Sequence, residues 1–184
     1  MAESVPDVAT LIREQHVMIK QLFDSVQKAP PGERSTAFEP LVRLLAVHET
    51  AEEEIVYPAI ASQSDAGREV ADARKQEEDA AKKSLAEIEA MDASTAEFVT
   101  AIGRLRADIE AHAASEEAEV LPLLAQTDPD RQRTMGKAFK AAESMAPTHA
   151  HRMAPESATG NLLVGPFVAI VDRVRDAIRD TVKS

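Results

Sequence analysis

Twice in this chain a histidine and a glutamate four residues apart sit inside an apolar helical stripe without ending it. In one stretch Leu41, Leu45, His48, Glu52, Ile55 and Ala59 recur at helical spacing; in another Ile102, Leu105, Ile109, His112, Glu116 and Val120 do the same. Residues that continue an apolar stripe face the core, and a carboxylate buried there without a partner costs several kcal/mol or more. Any fold open to this chain must therefore bring compensating groups to those two glutamates. The two histidines lie 64 residues apart, and each is followed ten positions later by a proline, Pro58 or Pro122. The chain thus reads as two similar helical hairpins.

Two further stripes complete the hairpins. Val8, Ile12, His16, Ile19, Phe23 and Val26 share a face that ends at Pro30-Pro31-Gly32. Ala71, Arg74, Glu78, Ala81, Leu85 and Ile88 share another, after a cap at Ser64 or Asp65. The second helix is expected to open at Ser35 or Thr36, with Pro40 in its first turn and a kink or early end at Pro58. The fourth is expected to open at Asp92 or Ser94. Four helices joined by short loops predict an all-α protein: an up-and-down antiparallel four-helix bundle over residues 1–127, with additional C-terminal helices in an extension over 128–184. That extension holds a polar helix from about Asp128 to Met145 and a strap of two prolines and two glycines from Ala146 to Gly165. A terminal amphipathic helix opens at Pro166 and carries Phe167, Ile170, Val171, Val174 and Ile178 on one stripe. Its apolar face has three outlets: the bundle itself, a second copy in a homodimer, or another partner.

Read onto the bundle, His16, His48, Glu52, Glu78, His112 and Glu116 converge near one level. A pair of divalent metal ions satisfies such a set together, imidazoles as terminal nitrogen ligands and carboxylates as bridges. The neighbouring charges read as surface: Glu53, Glu54, Glu117 and Glu119 as solvated, and Lys75, Lys82 and Lys83 as salt-bridged among Glu77 and Asp79. Tyr57, the single tyrosine, is expected to plug the core, or to hydrogen-bond beside the metals if it reaches them. His149 and His151 in the strap are exposed loop residues, or ligands on a lid over the bundle mouth.

Composition removes most competing classes. The 184 residues include no cysteine, which excludes disulfides, thiolate nucleophiles, iron–sulfur clusters and cysteine-ligated zinc. With 32 acidic against 21 basic residues the formal charge is −11, the wrong sign for non-specific nucleic-acid binding. Aromatic content of 3% supplies no stacking platform for single strands. No glycine-rich phosphate loop, dinucleotide fingerprint, His-Glu-x-x-His motif or EF-hand loop occurs. Nothing reads as a signal peptide or a membrane span, so the expected location is the cytoplasm.

The segments "LIREQHVMIKQLFDSV", "VHETAEEEIVYPAI", "EEDAAKKSLAEIEAM" and "IEAHAASEEAEVLPLL" together resemble the hemerythrin-like, or HHE cation-binding, family over about residues 8 to 127. The resemblance implies a non-haem di-iron site with His16, His48 and His112 as ligands and Glu52 and Glu116 as bridging carboxylates. Glu117 is the alternative for the last bridge, and Glu49 matches an extra glutamate of some iron-sensing relatives. The third helix departs from the oxygen carriers, which place a His-x-x-x-His pair where this chain has Glu78 and Lys82. Replacing neutral nitrogen by anionic oxygen favours oxidised metals, and with them reaction with dioxygen, peroxide or nitric oxide in redox sensing or protection over reversible oxygen carriage. Weak peroxidase, catalase-like or ferroxidase turnover fits the same shift. A lysine near two cations also admits a single iron, and the ligand types alone admit zinc or manganese. From a different class, the bundle can be read as a scaffold that docks partners through residues 166–181.

Overall fold

The structure is a computed structural model that describes residues 6–145 and 166–182. Four long helices form the bundle: α1 (Val8–Lys28), α2 (Arg34–Ala51), α4 (Asp65–Glu89) and α5 (Ala96–Ser115). Two short helices, α3 (Tyr57–Ala61) and α6 (Leu121–Leu124), prolong α2 and α5 beyond one widened turn each. Helices α7 (Pro129–Met145) and α8 (Pro166–Val182) follow, and no strand occurs among the described residues. None of the described helices is long and apolar enough to cross a membrane.

Local chemistry sets the boundaries. The Asp7 carboxylate caps α1 by accepting from Thr10 N–H at 2.9 Å, and the Ser64 hydroxyl accepts from Gly67 N–H to open α4. Two expected starts are corrected. A single 3₁₀ turn, Pro31–Glu33, feeds directly into α2 at Arg34, ahead of Ser35 and Thr36. Pro40 consequently lies inside the helix rather than in its first turn. It is tolerated because Thr36, whose carbonyl loses its donor, is exposed to water. Helix α5 is capped by Thr95, whose hydroxyl accepts from Phe98 N–H; Asp92 and Ser94 instead form the preceding turn.

Pro58 and Pro122 do not end their helices: Tyr57–Ala61 and Leu121–Leu124 carry on through them, which corrects the early end expected at Pro58. Each is preceded by a five-residue π turn, Glu52–Val56 or Glu116–Val120. Tyr57 N–H reaches back to the Glu52 carbonyl, and Leu121 N–H to that of Glu116. A proline here has no N–H for its i−4 partner and its ring would press on that carbonyl; widening the turn relieves both problems.

The interior is split by a polar layer. One apolar cluster gathers Val8, Leu11, Ile12, Val47, Ile60, Leu121 and Leu124 with Phe139 of α7 and Val174 and Ile178 of α8. The other gathers Ile19, Phe23, Phe38, Leu41, Leu85, Phe98, Ile102 and Leu105. Phe38 and Phe98 meet edge to face there, ring centroids 5.4 Å apart. Helix α8 lies along α2 and α7, with Val174 and Ile178 fully enclosed. Of the three outlets for its apolar stripe, the structure shows the bundle. His149 and His151 lie outside the described residues.

Two glycines separate packing from propensity. At Gly67, where α4 crosses the end of α3, a Cβ would collide with the Ile60 carbonyl oxygen, a backbone atom that cannot step aside. At Gly103, within α5, a Cβ would meet nothing within 4 Å. Gly67→Ala should cost ~1–3 kcal/mol in urea unfolding. Gly103→Ala should instead add ~0.5–1 kcal/mol, the helix-propensity gain alone.

Candidate metal centre

Between the two apolar clusters lie His16 from α1, His48 and Glu52 from α2 and its π turn, Glu78 from α4, and His112 and Glu116 from α5 and its π turn. All are at most 6% exposed. They divide into two sets, each able to offer one ligand atom per residue with all atoms within 4.8 Å of one another: His16, His48, Glu52 and Glu116; and Glu52, Glu78, His112 and Glu116. Glu52 and Glu116 belong to both. Two carboxylates shared between two four-residue sets is the arrangement of a dinuclear site with bridging carboxylates.

The hydrogen bonds orient the imidazoles for that role. Glu143 of α7 can only accept, so Gln15 turns its amide N–H₂ toward it, Nε2 to Oε1 at 2.9 Å. The Gln15 carbonyl oxygen then accepts from His48 Nδ1 at 2.8 Å. His48 is therefore protonated on Nδ1 and shows its Nε2 lone pair to Glu52, 3.4 Å away. His112 Nδ1 lies 2.8 Å from Glu77, which Arg74 holds at 2.9 Å. His16 Nδ1 lies 2.9 Å from Glu117, and its Nε2 lies 3.2 Å from Glu116. Each ring is thus tied on its Nδ1 side, the usual support of a metal-binding histidine.

The inward atoms lack partners. Both oxygens of Glu52 and Nε2 of His112 are buried without a hydrogen bond, and Glu78 turns its Oε1 inward, to Tyr57. Acceptor faces acceptor across the layer, so protons or metal cations must stand between them. Burial, then the nearby Glu116 and Glu78 carboxylates, raises Glu52 well above the carboxylate range; burial and Glu49 do the same to Glu78. Burial also raises Glu49, to about 8. For Glu116 burial is outweighed by the hydrogen bond to His16 and the other two imidazoles, and its pKa falls to about 2. Burial, then His16, lowers His48 to about 3 and keeps it neutral, the form a metal ligand needs. The residues fit a pair of cations.

Tyr57 is fully buried, its hydroxyl 2.5 Å from Glu78 and 2.7 Å from Glu116. Of the two roles expected for it, the structure shows the hydrogen-bonding neighbour. The π turn brings it there. At about 100° per residue Tyr57 would stand ~140° around an ideal helix from Glu52, whereas one extra residue in the turn reduces this to ~40°.

Several residues expected on the surface belong to the site's surroundings. Glu77 orients His112. Glu53 is half-buried and accepts from Lys82; Arg175 of α8 also holds it, at 3.4 Å. Lys82 sets its ammonium against Glu53, with Glu78 Oε2 at 3.5 Å and Glu49 Oε2 at 3.9 Å. Glu49 lies beside the two sets and belongs to neither; Glu117 stays on the rim, joined to His16. Gln15 was not anticipated, although it stands on the stripe of Val8 and Leu11 and so met the criterion that exposed His48 and Glu52.

The shifted groups set a pH dependence for the chain without metal. Raised carboxylates bind protons more tightly folded than unfolded, so their contribution is full below about 4.5 and is lost as pH rises, through about 8 for Glu49. His48, lowered from 6.5 to about 3, has the opposite slope, but its effect is complete by pH 6.5. Between pH 6.5 and 8 the carboxylates act alone. The melting temperature of the metal-free chain should therefore fall over that interval, and bound divalent metal should flatten the slope.

Comparisons with known proteins agree with this geometry. Over 172 residues the chain is 25% identical to an uncharacterised hemerythrin-like protein of Schizosaccharomyces pombe, spanning 92% of this chain and 85% of that one. The crystal structure of a hemerythrin HHE cation-binding domain-containing protein from Mycobacterium kansasii superposes with a TM-score of 0.68 at 21% identity, over 77% of this chain and 87% of that one. That likeness shows the shared fold. The family model of the hemerythrin HHE cation-binding domain matches residues 7–124, which include every histidine and glutamate of the two sets, and the chain belongs to that family.

Proposed function

We propose that this protein binds two iron ions between His16, His48, Glu52, Glu78, His112 and Glu116, and that the centre binds or reacts with dioxygen, peroxide or nitric oxide in redox sensing or protection in the cytoplasm. The observation that carries this reading is the pair of four-residue sets sharing Glu52 and Glu116, with buried oxygen and nitrogen atoms that make no hydrogen bond. His16 and His48 would hold one ion and Glu78 and His112 the other, with Glu52 and Glu116 common to both sets.

When bound, iron supplies the redox chemistry and the coordination position for a small ligand. The chain supplies the rest. Gln15, Glu77 and Glu117 hold the imidazole rings with their Nε2 atoms inward. Tyr57 stands at Glu78 and Glu116 with one phenolic proton, which can serve only one of the two carboxylates at a time. Above the rings a small cavity, about 10 Å³ for the centre of a water-sized molecule, is walled by Ile19, Leu45 and Ile109 beside His16, His48 and His112. That is room for about one water, and its apolar walls favour a small neutral ligand over a bulky or charged one. The carboxylate-rich set favours the oxidised centre, which supports reaction with peroxide or oxygen rather than reversible carriage.

Metal analysis with an absorption spectrum, on protein made without a histidine tag, tests the reading. Two irons per chain are expected, and one or none after anaerobic reconstitution would overturn the dinuclear assignment. Glu116→Ala and His112→Ala should each lose most of the bound iron, whereas His149→Ala should keep it. Gln15→Leu should weaken metal binding about 10–100-fold without abolishing it, the usual effect of removing a ligand's hydrogen-bond support.

A further inference from the structure

Lys82 is the charged group that the metal reading leaves without a task. Its ammonium sits on the outer side of Glu78, hydrogen-bonded to Glu53, with Glu78 Oε2 at 3.5 Å, Glu49 Oε2 at 3.9 Å and Asp79 at 4.0 Å. The two Oε2 atoms have no hydrogen bond, and their residues are at most 2% exposed. They face the ammonium together. An ammonium on a four-carbon stem is a tethered cation that can swing aside, so the place it holds is one that accepts positive charge. Outside it, Arg175 of α8 holds both Glu53, at 3.4 Å, and Glu54, at 2.9 Å.

These groups form a continuous series from the surface inward: Glu54, Glu53, Glu49 and then Glu78, which is itself a member of the second metal set. Two cationic side chains stop it. Glu49 also borders the small cavity above the imidazoles, so the series meets the centre from two sides.

We propose that Glu49, Glu53 and Glu78 form a transit site for divalent cations, held at rest by the Lys82 ammonium and covered by Arg175, through which metal ions reach and leave the buried centre. The inference rests on the metal-binding reading above and adds a third cation position to it. Lys82 and Arg175 act as the gate, and α8 thereby controls exchange at a centre that it does not touch.

The test uses the full-length chain loaded with Co²⁺. Equilibrium dialysis against excess Co²⁺ with metal analysis should give two ions per chain for the wild type and three for Lys82→Met, whose vacated carboxylates accept the extra ion. Release of bound Co²⁺ to excess chelator should be about tenfold faster in Lys82→Met, in line with the effect of charge at the mouth of a site. It should also be faster in Arg175→Gln, a change at a half-buried position of α8 outside the bundle helices, and slower in Glu53→Gln. Helix content by circular dichroism verifies that each variant is folded. Two ions in Lys82→Met, with wild-type release rates in both cationic variants, would overturn the transit site. A wild-type chain that takes up no Co²⁺ would instead overturn the metal reading on which it rests.

Discussion

Everything in this fold is arranged around a layer of buried acceptors that face one another. Glu52 has two oxygens with no hydrogen bond, the Nε2 lone pair of His48 points at one of them, and Nε2 of His112 adds another orphaned atom. Hydrogen bonding within the layer cannot settle this, because a donor is what is missing. Protons can supply it, which is why burial lifts Glu52 and Glu78 so far above the carboxylate range. Two divalent ions can supply it better. With the Lys82 ammonium they would set five positive charges against the carboxylates of Glu49, Glu52, Glu53, Glu78 and Glu116.

Much of this was legible in the residues. Helical periodicity defined the four bundle helices, and the polar residues that continued an apolar stripe were those that the structure brings together. What escaped was local geometry. The two prolines announced a disturbance of the helix, but proline chemistry alone does not say whether the chain kinks, stops or widens by one residue. The π turns decide it, and with it the direction of Tyr57. A strict 3.6-residue period puts Tyr57 away from Glu52; the widened turn puts it on Glu78 and Glu116. In the second hairpin the same position is Leu121, also buried, so the pseudo-symmetric halves differ in the residue that the bulge turns inward.

The groups around the ligands were hidden for a different reason. Glu53, Glu77 and Lys82 sit in charge-rich runs, where most side chains are solvated, and no period separates them from their neighbours. Their partners come from other helices: His112 for Glu77, Arg175 for Glu53, Glu49 for Lys82. Only packing reveals such pairings. Gln15 and Arg74 stood in plain view on apolar stripes, as polar residues with no business there unless something inside needed them. Gln15 orients His48, and Arg74 holds the Glu77 that orients His112.

The helices after residue 124, where the family model ends, are bound to the centre through those supporting groups. Helix α7 reaches it by Glu143 and Gln15 to His48; helix α8 reaches it by Arg175 and Glu53 to Lys82. Neither helix offers a member of the two metal sets. A movement of α7 would therefore change the orientation of one imidazole, and a movement of α8 the charge at the carboxylate approach, without removing a ligand. The two sets and the groups that steady them thus come from different parts of the chain: the bundle provides every member of the sets, and the extension reaches His48 through Gln15 and Lys82 through Glu53.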